Sequence, residues 1–239
     1  LIKRRQSGNV QQKLNVGDIS QIPIPILSKE FQEKISELVK LAHEKLQQAE
    51  EKYSAAEKIL SAALGLENFK PSTKNIAVKK FSASFLSSGR LDAEFYQPKY
   101  DDLKNFLKKF QTVELGDIVK IFKSIEPAVN FTQAGDILIS KVRPNRGAVA
   151  ILHEENLLVS GAFTVLRAKK FSAEVLQILL RLPIYKNFLL KFNVGTSYPV
   201  IKDEDVLNLP LPKISEEVQE KISLLVAESF LLRGESKKL

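Results

Sequence analysis

GNVQQKLNVGDISQIPIPILSKEFQEKISELV, residues 8–39, aligns without a gap onto GTSYPVIKDEDVLNLPLPKISEEVQEKISLLV, residues 195–226. The offset is 187 throughout, and 13 of the 32 pairs are identical. The identities include Gly8/Gly195, Asp18/Asp205, Pro23/Pro210, Pro25/Pro212, Ser28/Ser215 and the run QEKIS at 32–36 and 219–223. A repeat of such long period, with unrelated sequence between its copies, indicates one architectural unit used twice around a variable insert.

Each copy reads as an extended segment followed by a helix start. The prolines of IPIPI (22–26) forbid helix and hold their predecessors extended. Ser28 is a good N-cap, with Lys29 and Glu30 in the first turn. Beyond it, apolar or small residues recur at Phe31, Ile35, Leu38, Ala42, Leu46, Ala49, Tyr53, Ala56, Leu60 and Ala63. Their spacing of three and four is a heptad stripe with one four-residue stutter. Gly65 suits the C′ position that ends such a helix. About 36 residues at about 1.5 Å each make a rod of roughly 54 Å. One narrow, Ala-rich stripe on a helix this long calls for a partner. A globular core beneath it and a second helix both satisfy the pattern. The second copy supplies the second helix: Val218, Ile222 and Leu225 stand where Phe31, Ile35 and Leu38 stand, and Ser229 where Ala42 stands. An antiparallel pair through Phe31, Ile35, Leu38, Ala42, Val218, Ile222 and Leu225 is the expectation.

The insert reads differently. Residues 67–87 have no sustained period and form a linker. Residues 98–110, 174–182 and 183–192 carry helical periodicity. Residues 113–115, 118–122, 136–140, 148–152, 157–160 and 163–167 read as short strands separated by turns at 135–136, 144–147 and 160–161. The fold class is α+β: one mixed, mostly antiparallel α/β body plus two long helices pairing as an antiparallel coiled coil.

The chain has 239 residues, 44% of them apolar, enough for one large domain or two smaller ones. It has no Cys, which excludes disulfides and thiol chemistry and suits a reducing cytosol. No apolar run approaches the roughly 18 residues of a membrane span. Absence of Met, with the abrupt KKL end at 237–239, leads to the expectation of a fragment of a longer product. The net charge is +8. The two long-helix segments are nearly neutral, so the positive excess sits before and between them. That excess fits a polyanion partner such as nucleic acid, or simply a basic surface.

Chemistry-bearing constellations are missing from the sequence. His43 and His153 are isolated and lack metal-ligand spacing. There is no Gly-x-Gly, no P-loop, and no base placed to activate Ser140 or Ser160. The residues argue for a binding protein rather than an enzyme.

Several motifs, in order, resemble the specificity (S) subunit of Type I restriction-modification systems. They are RLDAEFY (90–96), GDIV (116–119), GDILISK (135–141) followed by VRP (142–144), VSGAF (159–163), GTSYP (195–199), and LPLP (209–212) leading into QEKI (219–222). The resemblance implies a non-catalytic, cytoplasmic prokaryotic protein in which two target-recognition domains are spaced by an antiparallel coiled coil. Each domain reads one half of a split double-stranded DNA target. Methyltransferase (M) subunits dock on the S subunit, restriction (R) subunits join through them, and S-adenosylmethionine belongs to the partner methyltransferase, with no cofactor in this chain. On that pattern residues 1–27 are the end of a first recognition domain, 28–66 the first conserved spacer helix, 67–87 the linker, 88–213 a complete second recognition domain, and 214–239 a truncated second spacer helix. A truncated chain is also expected to self-associate. The alternative is a coiled-coil scaffold without sequence readout.

Phosphate contacts give affinity and base-edge contacts give specificity. The leading candidate is the 140–147 turn, with Lys141, Arg143, Asn145 and Arg146, since Arg suits guanine and Asn adenine. A solvated basic hairpin accounts for the same residues. The second candidate is Thr196, Ser197 and Tyr198, whose repeat counterpart (9–11) follows Arg4 and Arg5. A β-turn closing the body explains these too. Lys123 and Ser124, after a strand, are the third.

Overall fold

The computed structural model describes residues 16–122, 132–194 and 199–239. Helix α1 (Val16–Ser20) runs through an extended stretch holding Pro23 and Pro25 into α2 (Lys29–Ala63). Ser28 caps α2 by accepting the Phe31 N–H on its hydroxyl. At the far end Gly65 takes a left-handed φ of 62°, the conformation that a side chain disfavours and that terminates helices. The linker then crosses the body, anchored where Asp102 accepts the Ser72 N–H at 2.8 Å and Lys79 pairs with Asp101. It contains the single turn α3 (Phe85–Ser88).

The body begins with α4 (Pro98–Leu107), whose proline sits in the first turn where no N–H is needed. In order follow β1 (Thr112–Glu114), α5 (Leu115–Ile118), β2 (Val119–Phe122), β3 (Ile137–Ser140), β4 (Val149–Ile151), β5 (Phe163–Ala168), α6 (Ala173–Arg181), α7 (Pro183–Leu190), α8 (Asp203–Leu207), β6 (Pro210–Pro212) and α9 (Glu216–Ser236). Four strands form an antiparallel sheet in the order β2-β5-β3-β4, and β1 pairs antiparallel with β6. On β3, Ile137 and Ile139 are buried and their neighbours half-buried, the period of two that a one-faced strand requires. Helix α6 is buried at six successive positions, Val175 to Leu180, because β4 and β5 lie on one side of it and α9 and α2 on the other. Tyr185, fully buried on α7, donates its hydroxyl to the Pro210 carbonyl at 2.9 Å.

The long helices pair antiparallel, as the repeat led us to expect, in a staggered register. The Ser229 hydroxyl donates to the Ala49 carbonyl at 2.7 Å, and Ser236 donates to Ala42 at 2.9 Å. Both pairs are one heptad apart on their helices. Lys45 pairs with Glu235 and Lys52 with Glu228, each at 2.6 Å. Ala49, Ala56 and Ser229 are fully buried, and these small residues allow the close approach. Ile222 and Val226 pack in the same core as Tyr53, Ala56, Leu60 and Leu64. Phe31 and Ile35 lie on the exposed first third of α2, ahead of the pairing. Leu38 is half-buried, and Ala42 faces the last turn of α9. Val218 and Leu225 pack partly buried against the core. This register departs from a pairing of each stripe with its repeat counterpart, because antiparallel geometry brings the start of α9 onto the end of α2.

Over the described residues 16–39 and 203–226 the two copies match element for element. Helix α1 and α8 share the 187 offset at both ends, and so do the starts of α2 and α9. Gln32 donates its side-chain amide to the Leu27 carbonyl at 2.8 Å, and Gln219 does the same to Ile214 at 2.9 Å. One difference lies at the cap: Ser215 holds the N-cap position without a side-chain cap bond. The larger difference is burial. Leu211, Ile222 and Val226 are fully buried, whereas their counterparts Ile24, Ile35 and Val39 are 81%, 44% and 49% exposed. The second copy is covered by the body, through β1 on β6 and α6 on α9, and by the end of α2.

Residues 157–160, read as a strand, are not one. The Thr132 hydroxyl both accepts the Leu157 N–H at 2.7 Å and donates to the Leu157 carbonyl at 3.1 Å, taking the groups a ladder would use.

Identical residues in unequal settings give a direct test. Ile222→Ala removes a fully buried side chain and is expected to cost about 2–5 kcal/mol. Ile35→Ala, its repeat counterpart, is expected to cost less than about 0.5 kcal/mol. Urea denaturation of the two variants reads the difference; equal costs contradict the burial asymmetry.

Candidate functional site

The 140–147 turn leaves the end of β3 and is held on every side by backbone bonds. Lys141 N–H donates to Ala162 at 2.8 Å and Ser140 Oγ to the Val142 carbonyl at 2.8 Å. Ile201 N–H donates to Lys141 at 3.0 Å, and Arg143 N–H to Pro199 at 2.8 Å. Val142 bridges Val200, which in turn bridges Val194. Val194 and Val200, on either side of residues 195–198 in sequence, are therefore stitched to each other, and Val200 to the 140–147 turn. The first candidate segment is thus joined to Val200, just beyond the second candidate segment in sequence.

Arg143 adopts φ 53°, ψ 58°, the left-handed region that costs a non-glycine residue about 1–2 kcal/mol. It is followed by the buried Pro144 and a tight turn closed by Arg146 N–H on Arg143 and Gly147 N–H on Pro144, at 2.9 and 3.0 Å. Gly147 has φ 61°, and a Cβ there would stand 3.3 Å from the Lys186 side chain. The result is a rigid protrusion with Asn145 and Arg146 exposed at its tip and Arg143 half-buried at its base.

Lys141 has a local role. Its ammonium lies 3.2 Å from Asp203 Oδ1, with both side chains about a fifth exposed. The same oxygen accepts the hydroxyl of the buried Thr164 at 2.7 Å. Asp205, the repeat counterpart of Asp18, accepts the Lys202 N–H at 2.7 Å and fixes the start of α8. Sequence reasoning did not single out Asp203 or Thr164. Their tie to Lys141 joins the turn, β5 and α8 across 62 residues from Lys141 to Asp203, and no local spacing announces it.

Arg90 completes the frame. It makes a two-pronged pair with Asp92, at 2.7 and 2.6 Å. It also donates to the Asn193 carbonyl at 2.9 Å and the Phe192 carbonyl at 3.4 Å, bracing the chain between the end of α7 and Val194. The hydrogen bond to Asp92 raises the Arg90 pKa, and the same bond holds the Asp92 carboxyl below its ordinary value. The RLDAEFY motif contains both residues, so its signal was present in sequence.

Thr196, Ser197, Tyr198, Lys123, Ser124, Arg4 and Arg5 lie outside the described residues. Of the two histidines, His153 packs edge-on against Phe230 at 4.8 Å, and His43 is exposed on α2. Among the described residues no three His, Cys, Asp or Glu side chains are grouped to hold a metal ion, and no helix is long and apolar enough to cross a membrane. The site offers hydrogen-bond donors and positive charge on a rigid frame.

No protein-family model matches the chain, and no curated protein matches it. Solved structures do. The chain is similar to the crystal structure of a Type-I restriction-modification system S subunit from M. genitalium, with 15% identity and a TM-score of 0.43, over 99% of this chain and 63% of that one. It is similar to the crystal structure of the HsdS subunit from Thermoanaerobacter tengcongensis, with 16% identity and a TM-score of 0.37, over 99% and 60%. A third similar structure concerns complex assembly and conformational transition of the type I R-M system, with 15% identity and a TM-score of 0.35, over 97% and 62%. The chain thus spans 60% to 63% of the length of these structures.

The Lys141–Asp203 tie predicts a coupling. Asp203→Ala leaves both Lys141 and Thr164 unpartnered and is expected to cost about 1–3 kcal/mol. In a double-mutant cycle with Lys141→Ala, a coupling of about 0.5–3 kcal/mol is expected from denaturation midpoints. Strict additivity contradicts the pairing.

Proposed function

We propose that the chain is a DNA-reading specificity subunit, or part of one, of a Type I restriction-modification complex. The body at 88–213 acts as a target-recognition domain for one half of a bipartite double-stranded target. The helices within 28–66 and 214–239 act as the spacer that carries it. Residues 1–27 act as the end of a first recognition domain, the body being the second. The protein is non-catalytic and cytoplasmic in this reading. M subunits dock on it, R subunits join through them, and S-adenosylmethionine is held by the methyltransferase partner.

The observation that carries the reading is the braced turn. Asn145 and Arg146 stand exposed on a backbone locked by Arg143 and Gly147, in a turn bridged through Val142 to Val200. Preorganised Arg and Asn at a rigid tip suit two-pronged contacts to guanine and adenine edges in the major groove. The net charge of +8 supplies the phosphate attraction that duplex binding needs. The exposed face of the first copy, Ile24, Ile35 and Val39, supports use of the scaffold twice, because the equivalent face of the second copy is covered by a body. The same face supports self-association where no second body is present.

A non-reading scaffold also accommodates the helix pair, and one experiment separates the two. The chain with its methyltransferase subunits is selected on a randomised duplex library. Enrichment of a defined half-site is expected, with log affinity falling linearly in log salt. Arg146→Ala is expected to cost about 1–3 kcal/mol of binding and to relax preference at one base position. Uniform recovery of all sequences by the wild type contradicts the reading in favour of the scaffold.

A further inference from the structure

Lys191 closes α7 and is half-buried. Its ammonium sits 4.7 Å from the centre of the Phe95 ring and 6.0 Å from that of Phe192. The Arg90 guanidinium lies 4.6 Å from the same Phe95 ring. Two cations therefore share one aromatic side chain. Arg90 is neutralised by Asp92, and the neighbouring Lys79 by Asp101. Lys191 has no hydrogen bond or ion pair from its ammonium among the described residues. Asp101 is close enough to favour its charge, while Lys104, Lys79 and Arg90 oppose it. Burial first, and these like charges after it, push the Lys191 pKa below its ordinary value.

A half-buried ammonium between aromatic walls, with Asp101 alone set against Lys104, Lys79 and Arg90, is stabilised when a ligand supplies further negative charge. The location identifies the ligand. Lys191 is three residues before Val194, which bridges Val200, and the adjoining Phe192 and Asn193 carbonyls are held by Arg90. That segment is joined through Val194 and Val200 to Val142 in the 140–147 turn. An anion beside bases read at that turn is a backbone phosphate, and the Phe95 and Phe192 rings offer apolar packing to a sugar.

We propose that Lys191, with Arg90 beside it, is a binding site for a phosphodiester of duplex DNA, gripping the backbone next to the bases that the 140–147 turn reads. The site rests on the DNA-binding reading above. It positions the duplex and carries no sequence information of its own.

The test compares wild type with Lys191→Gln on the enriched duplex across a salt series. Loss of one phosphate contact is expected to flatten the slope of log affinity against log salt by about 0.9, with half-site preference unchanged. The thermal midpoint of the variant is expected to hold or rise, since an uncompensated charge is removed. An unchanged slope overturns this site and leaves the DNA reading intact, as does a lowered midpoint with an unchanged slope. No duplex binding by the wild type at any salt overturns the DNA reading, and this assignment with it. As a second readout, lysine-selective NMR of the wild type is followed on addition of inorganic phosphate. A saturable shift of the Lys191 resonance, absent at exposed lysines, is expected; no shift overturns the anion site whatever the duplex result.

Discussion

The structure depends on how closely α9 approaches α2. Ser229 and Ser236 put their hydroxyls on the carbonyls of Ala49 and Ala42, one heptad apart. Such bonds require the backbones to be near, and the buried alanines at 49 and 56 permit it. The Lys45–Glu235 and Lys52–Glu228 pairs flank the seam in the same register. These partly exposed pairs are worth little individually; the buried small residues hold the alignment. Because α6 packs on α9 and α2, and the sheet on α6, the helix register also fixes where the body stands and which way its turns face.

The register has a second consequence. A residue on α2 and its repeat counterpart on α9 come opposite each other near Leu46 and Arg233. On either side of that crossing the repeat pairs unlike halves. The end of α2 covers the start of α9, and Tyr53 packs there beneath Arg181 and Arg233, at 5.2 and 5.8 Å from its ring. The start of α2, with the same sequence pattern, keeps its stripe exposed. Identical residues therefore serve as core in one copy and as surface in the other. What differs is the neighbour, not the side chain.

Much of this was legible in the sequence. The 187-residue offset foretold that α1 and α8, and the starts of α2 and α9, would match, because local signals such as Ser28, Pro23 and Gln32 act over a few residues and were duplicated with the chain. Gly65 and the heptad spacing marked the length of α2. The helix register was not legible, since a heptad stripe looks alike at every step of seven and only long-range packing selects one. The 157–160 segment had strand-like composition, yet a threonine hydroxyl took both backbone groups of Leu157. At the candidate site the cations were visible as a cluster. Their unequal roles were not: Lys141 is tied to Asp203 from another element, Arg143 bends the backbone, and only Asn145 and Arg146 reach out from the tip.

The absence of native cysteine makes the register directly measurable. Two double variants, Ala49→Cys with Ser229→Cys and Ile35→Cys with Ile222→Cys, are oxidised under the same mild conditions. A disulfide needs Cα atoms within about 7 Å. The staggered pairing predicts rapid intramolecular linkage of the 49/229 pair and none within the chain for 35/222. Linkage of 35/222 in preference to 49/229 contradicts the register on which the rest of the account stands.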